Sequence, residues 1–362
     1  MRLISLSLRN YRNYDWLDLE PSPQLNVFLG RNGQGKTNLL ESIALLALSS
    51  SPRARREVEL IGPVADQARV EGVVERGGRQ RQVRIDLERT AQTRAKRRIV
   101  VDGQPRRAVD LPGTFGVVLF WPDDLNLAKA GPEHRRRLLN QMLVQIEPGY
   151  ARSLSHYTRV VEQRNHLLRR VQAQEAAASE LEVWDLELCR FATQLVEARA
   201  GAAVELAAGA AVAHESIAPG ETLELRYLGP PDDLAEAIAQ ARSDDVRRGV
   251  TTVGPHRDDL AITLAGRDTR AYASQGQQRT AVVAIKLAEA QVVGRRAGEP
   301  PVLLLDDVLS ELDADRRQQL LKHLGEGAQV VVTSVEADPF PQDVIGRSRV
   351  LRIAQGRVLE EG

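Results

Sequence analysis

The opening stretch, MRLISLSLRNYRNYDWLDLEP, alternates apolar and polar positions. That two-residue period predicts a strand, a turn and a second strand. LNVFLG is a short apolar run ending at Gly30 and predicts a buried strand. KTNLLESIALLAL follows at helical spacing, so a glycine-rich segment lies between a strand and a helix. Residues 70–110 read as an antiparallel meander, with ARVEGVVER, RQVRIDLER and RRIVVDG as its strands. Gly77-Gly78 and Asp102-Gly103 are its hairpin turns. GVVLFWP predicts a further strand, stopped by Pro122.

At Gly131-Pro132 the character changes, because proline suits the first turn of a helix. The pattern stays helical to about residue 215. Tyr150, Leu154, Tyr157 and Val161 step by four and three, and Trp184, Leu188, Phe191, Leu195, Ala198 and Ala202 do the same. Each run is short, which predicts an antiparallel helical arm, not a long coiled coil. IAPGETLELRYLGPP returns to strand and turn, and DDLAITLAGRDTRAY predicts a hairpin. QQRTAVVAIKLAEAQVV predicts a helix, PVLLLDDV and QVVVTSV buried strands, and VLRIAQGRVLEE a closing hairpin.

Composition narrows the class. A chain of 362 residues is long enough for two domains, or for one domain with a large insertion. The formal net charge is zero, which argues against a uniformly basic nucleic-acid binder but leaves local patches open. Lysine occurs only at positions 36, 96, 129, 286 and 322, so nearly all positive charge is arginine. Codon usage accounts for that as well as function does, although the guanidinium fork suits phosphate. Cys189 is the single cysteine, so no disulfide forms within the chain and a reducing compartment fits. Arg9 interrupts the apolar run of the N-terminus, which lacks signal-peptide architecture. The apolar stretch GAAVELAAGAAVA carries Glu205 and reads as a small-residue helix, not a membrane span. The expected location is cytoplasmic. The six histidines show no metal-ligand spacing, and His256 reads as structural or coupled to nucleotide.

The chemistry concentrates in three segments. GRNGQGKT, residues 30–37, fits G-x-x-x-x-G-K-T. Gly30, Gly33 and Gly35 let the backbone turn sharply and approach an anion, and the loop N–H groups with the following helix N-terminus make an anion cradle. Lys36 would reach the β- and γ-phosphates, and the Thr37 hydroxyl would coordinate Mg²⁺. PVLLLDDV ends an apolar strand in Asp306, a carboxylate placed for Mg²⁺, and Asp307 would sit where a general base orients water. SQGQQR, residues 274–279, opens a helix, and Ser274 with the Gly276 backbone forms a second helix N-terminus.

The order of these segments resembles that of ABC-type ATPases. SQGQQ looks like the ABC signature, and SELD, residues 310–313, resembles the D-loop. The resemblance implies an α/β fold: a P-loop ATPase head with a mixed sheet and an antiparallel β meander, plus a mostly helical second domain with a short arm. It implies an ATP- and Mg²⁺-dependent homodimer, in which one copy's Ser274, Gly276 and Gln277 close over the nucleotide held by the other. Gly30, Arg31, Asn32, Gly33, Gln34, Gly35, Lys36, Thr37 and Asn38 would bind that nucleotide, with Thr37 and Asp306 on the metal. Lys36, Asp306, Asp307 and Ser274 would carry the ATPase reaction.

Finer features are similar to the SMC-like DNA-repair ATPases rather than to transporter subunits. GVVLFWPDDLNL lacks the transporter junction glutamine, and TSVEAD lacks the transporter histidine. NYRNY resembles the start of the SMC-like members, where an arginine in the position of Arg12 lies near the nucleotide. TTVGPHRDDL and the paired Asp306-Asp307 fit a recombination mediator better than a long-armed SMC protein. The resemblance then implies ATP-dependent binding of duplex DNA near single-strand gaps and at junctions. With RecO and RecR as partners, and RecA indirectly, it implies RecA loading, with roles in replication-fork maintenance and SOS induction. It further implies a weak DNA-stimulated ATPase that resets the dimer, without membrane attachment and associated with the nucleoid. Asp307 is one methylene shorter than the usual glutamate there. A transporter ATPase subunit and a structural SMC-like head are the competing readings.

Three basic clusters are candidate DNA contacts. From Arg76 to Arg107 eleven basic residues face three acidic ones, a local excess of eight. Arg76, Arg79, Arg81, Arg94, Lys96, Arg97 and Arg98 belong to it. The second cluster is Arg53, Arg55 and Arg56, and the third includes Arg135 and Arg136. Such contacts would give salt-dependent binding with little sequence preference. At 4% aromatics no base-stacking platform is evident, which favours duplex backbone. The expected division is an ATPase core lobe of residues 1–118 and 290–362, with a helical arm domain of residues 119–289.

Overall fold

The computed structural model describes residues 1–311, 317, 319–320, 327–336, 346 and 348–360. Two sheets enclose one helix. The antiparallel sheet holds β1 (Arg2–Tyr11), β2 (Tyr14–Leu19), β4 (Gln67–Arg76), β5 (Arg79–Ala91), β6 (Arg94–Val101) and β7 (Gln104–Arg106), in the order β2-β1-β4-β5-β6-β7. The second sheet runs β15-β14-β3-β13-β12-β8. Its members are β3 (Leu25–Leu29), β8 (Val117–Phe120), β12 (Val302–Asp306), β13 (Val330–Ser334), β14 (Arg349–Ala354) and β15 (Arg357–Glu360). All its pairings are parallel except β14 with β15. Strands covered on both faces need largely apolar runs, which VVLF supplies throughout and LNVFL and VVVTS supply apart from the buried Asn26, Thr333 and Ser334.

Strand alternation divides the core at this second sheet. Phe28, Val117, Leu119, Leu304 and Val331 join the inner face of the antiparallel sheet and helix α1 (Lys36–Leu48) in one cluster. Val27, Leu29, Val118, Leu303, Leu305 and Val332 face the other way, into a helical layer. Helix α1 is therefore buried along nearly its whole length, which fits its all-round apolar sequence.

The helical layer contains α2 (Asn126–Lys129), α3 (Pro132–Ile146), α4 (Tyr150–Gln172), α5 (Leu181–Ile217), α6 (Leu234–Arg248), α7 (Thr269–Tyr272) and α8 (Gln275–Ala297). A small antiparallel sheet, β9 (Leu223–Leu228), β10 (Asp259–Leu264) and β11 (Arg267–Asp268), packs with it. Helices α4 and α5 run antiparallel and turn back over residues 173–180, as the arm expectation had it. Yet α5 has 37 residues, longer than the short runs predicted. The side chains it buries include Asp185, Leu188, Ala192, Leu195, Arg199, Ala202, Leu206 and Ala210, whereas Trp184, Phe191 and Ala198 are half-buried. Two of the buried positions are ionic, so the apolar period drifted off the true contact face. Helix α6 had no counterpart in the sequence reading, because its only large apolar residues are Leu234, Ile238 and Val246, set among alanines and charged residues. The proposed division at 118/119 falls within β8, and that at 289/290 falls within α8. Among the described residues no helix is long and apolar enough to cross a membrane.

Candidate functional site

Strand β3 delivers Gly30 to the C-terminal edge of the parallel sheet, where its N–H donates to the Ser334 carbonyl at 3.1 Å. A side chain on Gly30 would collide with the Ile353 backbone of β14. Gly35, which caps α1, has φ 116°, a conformation that glycine adopts without strain. The loop between them ends on a helix N-terminus, whose first N–H groups lack intrahelical partners and whose dipole favours an anion.

Lys36 is buried, and its Nζ donates to the Gly30 carbonyl at 2.6 Å. It lies 3.6 Å from Asp307 Oδ2 and 3.5 Å from Asn32 Oδ1. The Thr37 hydroxyl donates to Asp306 Oδ2 at 2.8 Å, joining residues 269 positions apart. Thr333 donates to the other Asp306 oxygen at 2.8 Å and accepts from the Asp307 N–H at 3.1 Å. Burial pushes the Asp306 carboxyl above the usual carboxylate range, the two hydroxyls pull it back, and the charge of Asp307 adds to the upward push. Asp307 has φ 53°, a left-handed conformation that aspartate tolerates better than most residues. One hydroxyl and one carboxylate are the hard oxygen donors that Mg²⁺ takes from a protein beside substrate phosphates, so these residues fit that ion.

The loop tip is held from two sides. Asn13 Nδ2 donates to the Gln34 carbonyl at 3.0 Å, and Asn38 Nδ2 donates to Asn13 Oδ1 at 2.8 Å. Gly356 N–H also donates to the Gln34 carbonyl, at 3.0 Å, and Gln355 N–H donates to Gln34 Oε1 at 2.7 Å. Asn13 and Gln355 were not among the predicted site residues. NYRNY carried the first as a motif, but nothing local tied either one to residue 34. Arg31 and Asn32 are exposed.

Arg12, expected near the nucleotide, is held against the helix that follows the loop. Its fork closes on the buried Glu41 carboxylate of α1 at 2.9 and 2.8 Å, and Nη1 donates to the Glu59 carbonyl at 2.7 Å. Ser274 caps α8: its Oγ accepts from Gln277 N–H at 3.3 Å, while Gln277 Oε1 accepts from Ser274 N–H at 2.9 Å. Gln277 Nε2 reaches Glu221 Oε1 at 2.7 Å. Ser274 is exposed, Gly276 half-buried, and among the described residues no hydrogen bond joins this capping box to the loop of residues 30–37. Of the SELD segment, Leu312 and Asp313 lie outside the described residues.

The members of the basic clusters differ in exposure and in partners. Arg94, Lys96 and Arg98 share an exposed face of β6, but Lys96 stands opposite Glu88 and Arg98 opposite Asp86. Arg97 points to the other face, donates to the Ser49 carbonyl and lies 3.1 Å from Glu57. Arg76 donates to the Gly113 carbonyl, whereas Arg79 and Arg81 are exposed at the start of β5, with Arg79 opposite Arg76. Arg53, Arg55 and Arg56 are exposed, with Arg53 on Asn38 Oδ1 at 3.2 Å and Arg56 3.6 Å from Glu59. Arg135 corrects an expectation: it is buried and its fork closes on Asp259 at 2.6 and 2.9 Å, so it is a structural ion pair and not a phosphate contact. Arg136 is half-buried, with Nη1 on the Asp258 carbonyl at 2.7 Å.

His256 sits among buried partners. Nδ1 is 2.5 Å from the Tyr157 hydroxyl and Nε2 is 2.9 Å from the Thr251 carbonyl. Burial lowers its pKa below the usual histidine value. No group of three or more His, Cys, Asp or Glu that could hold a metal occurs among the described residues.

The family model described as the RecF/RecN/SMC N-terminal domain matches residues 2–355. The chain is similar to the DNA replication and repair protein RecF of Heliobacterium modesticaldum, 38% identical over 370 residues that cover 99% of each chain. It is similar to that of Symbiobacterium thermophilum, 41% identical over 375 residues covering 99% of this chain and 98% of the other. Among solved structures, the recombination mediator protein RecF with ATP, in the RecFOR pathway, matches at a TM-score of 0.90 and 29% identity. That match covers 99% of this chain and 97% of the other. An Smc head bound to the C-winged helix domain of ScpA matches at a TM-score of 0.58 and 14% identity, over 99% of this chain and 97% of that one, a likeness of fold alone.

Proposed function

This chain belongs to the RecF family of the RecF/RecN/SMC proteins, and from that premise we propose that it is an ATP-gated DNA-binding protein of recombinational gap repair. It binds duplex DNA near single-strand gaps as an ATP-induced homodimer. It works with RecO and RecR, as the RecFOR context of its structural relative suggests, to promote RecA loading. Roles at replication forks and in SOS induction follow from the same activity.

The observation that carries this reading is the position of Ser274. It caps a 23-residue helix at the surface and makes no hydrogen bond to its own chain's phosphate loop among the described residues. A second copy supplying that helix N-terminus would complete a composite site.

Within one copy, Gly30 to Thr37 form the cradle and Lys36 neutralises phosphate charge. Thr37 and Asp306 would hold Mg²⁺. When bound, ATP would supply the γ-phosphate on which pairing of the two copies depends, held by Lys36 and, through Mg²⁺, by Thr37 and Asp306. Asp307 stands beside Lys36 at 3.6 Å, where it would orient water. Its short side chain limits its reach, which supports a slow, DNA-stimulated ATPase used as a switch. The arm turns back over residues 173–180, which favours gap repair over chromosome tethering by a long coiled coil.

Sedimentation velocity at micromolar protein tests the reading. Wild type with ATP and Mg²⁺ should dimerise, whereas wild type without ATP and Lys36→Met should remain monomeric. Ser274→Arg should block the dimer while the monomer still binds ATP. A wild type that stays monomeric with ATP and duplex DNA present overturns the proposal.

A further inference from the structure

A backbone cradle for an anion works only if its N–H groups point at the ligand, so its carbonyls must turn away and find donors elsewhere. Two carbonyls of the phosphate loop find them outside the loop. The Gly35 carbonyl accepts from the Tyr14 hydroxyl at 3.0 Å. The Gln34 carbonyl accepts from both Asn13 Nδ2 and Gly356 N–H, each at 3.0 Å. The Gln34 side chain then takes the adjacent donor, Gln355 N–H, at 2.7 Å. Gln355 and Gly356 have φ 48° and 70° and form the tight turn of the β14–β15 hairpin. A side chain on Gly356 would strike the Asn13 carbonyl oxygen, so the two turns meet backbone to backbone.

The turn bearing Asn13 belongs to the antiparallel sheet, and the turn bearing Gln355 to the parallel one. We propose that Gln34 is a positioning residue, a clasp that pins the phosphate loop to both turns and fixes the loop's N–H groups for nucleotide. Its side chain faces Gln355 and not the phosphates. The proposal rests on the ATP-site reading above. A loop whose acceptors are already engaged needs little ordering on binding, and that preorganisation raises affinity for any nucleotide alike.

The test uses the full chain, Mg²⁺, and fluorescent analogues of ATP and ADP in stopped flow. Gln34→Met keeps the length and removes the acceptor. One hydrogen bond lost should raise Kd about fivefold, equally for both analogues. Hydrogen exchange at Gln355 N–H should speed up in the same variant. Gly356→Ala should weaken binding too, and the Gln34→Met/Gly356→Ala double variant should bind no worse than Gly356→Ala alone. If Gly356→Ala does not fold, Asn13→Ala takes its place: it loses a separate hydrogen bond to the Gln34 carbonyl and should weaken binding of both analogues alike, with the double variant weaker than either single one. Unchanged affinity in Gln34→Met, or a loss confined to one analogue, overturns the clasp. Lys36→Met separates the two claims. If wild type binds, Lys36→Met does not, and Gln34→Met binds like wild type, only the clasp fails. If wild type binds neither analogue, the ATP site fails and the clasp with it.

Discussion

Asp306 shows how a single side chain can be poised for a cation. Its carboxyl is 4% exposed, lies next to Asp307, and is pushed above the usual carboxylate range chiefly by burial. The sign follows from linkage. A carboxyl whose folded pKa is raised contributes stability fully below its unfolded pKa of about 3.9, and that contribution is lost as pH rises through the raised value. Above that raised value the ionised group destabilises the nucleotide-free protein, and a bound cation would relieve it. Asp306→Asn keeps an acceptor for one threonine hydroxyl and a donor for the other, without charge. Nucleotide-free Asp306→Asn should melt no lower than wild type in a thermal scan. Wild type with ATP and Mg²⁺ at a hundred times Kd should gain about 2.7 kcal/mol, and the variant should lose most of that gain. An equal gain in both proteins would show that Asp306 does not face the metal. The pairing of Thr37 with Asp306 was legible in the sequence, because strand-then-glycine-then-helix and strand-then-aspartate each fix where a residue emerges from a parallel sheet. The partner of Arg12 was not legible. A long guanidinium reaches several neighbours, and only the fold decides that Glu41 is nearest.

At the scale of elements, the sequence told strand from helix well and told which face was buried less well. The parallel strands and the meander followed from apolar runs and hairpin glycines. Helix α5 failed on its face, because two of its inward positions are charged. Arg199 is 2% exposed; Nη1 bonds Asp258 Oδ2 at 3.0 Å and the Pro255 carbonyl at 2.6 Å, Nε bonds the Tyr150 hydroxyl, and Nη2 bonds Asn140. Arg164 of α4, fully buried, bonds Asp185 and Asp245, each at 2.7 Å. The TTVGPHRDD segment supplies several of these acceptors, so it ties the arm to the rest of the helical layer instead of adding a ligand. Removing one partner of a buried pair leaves the other charged and desolvated. Arg199→Met should therefore lower unfolding free energy by about 3–5 kcal/mol in urea titration. Arg190→Met, on the exposed side of the same helix, should change it by less than about 0.5 kcal/mol. Equal small changes in both variants would mean that the arm's base is held by apolar packing alone.

At the scale of the molecule, a chain of zero net charge would have to bind DNA through a local surface, and strand geometry decides how much of the counted charge is usable. The run from Arg76 to Arg107 has an excess of eight in sequence, but alternate residues leave a strand on opposite faces. Arg97 and Arg76 are turned to carbonyls of the protein, and Arg135 of the third cluster is sealed on Asp259. Arg94, Lys96 and Arg98 remain side by side on one exposed face, tempered by Asp86 and Glu88 on the neighbouring strand. On the proposed function, this face is the one to probe. Each phosphate contact contributes about 0.9 to the slope of log K against log salt concentration. Fluorescence anisotropy of a labelled duplex, with ATP and Mg²⁺ between 50 and 200 mM salt, reads that slope. Replacing Lys96 and Arg98 by Ala together should reduce its magnitude by about 2 and weaken binding evenly across sequences. Arg135→Ala should lower thermal stability and leave the slope of the folded protein as it was, because that guanidinium is buried on Asp259. A slope unchanged by the Lys96 and Arg98 substitutions would move the DNA surface away from β6, and the exposed Arg53, Arg55 and Arg56 beside α1 would be the next surface to substitute.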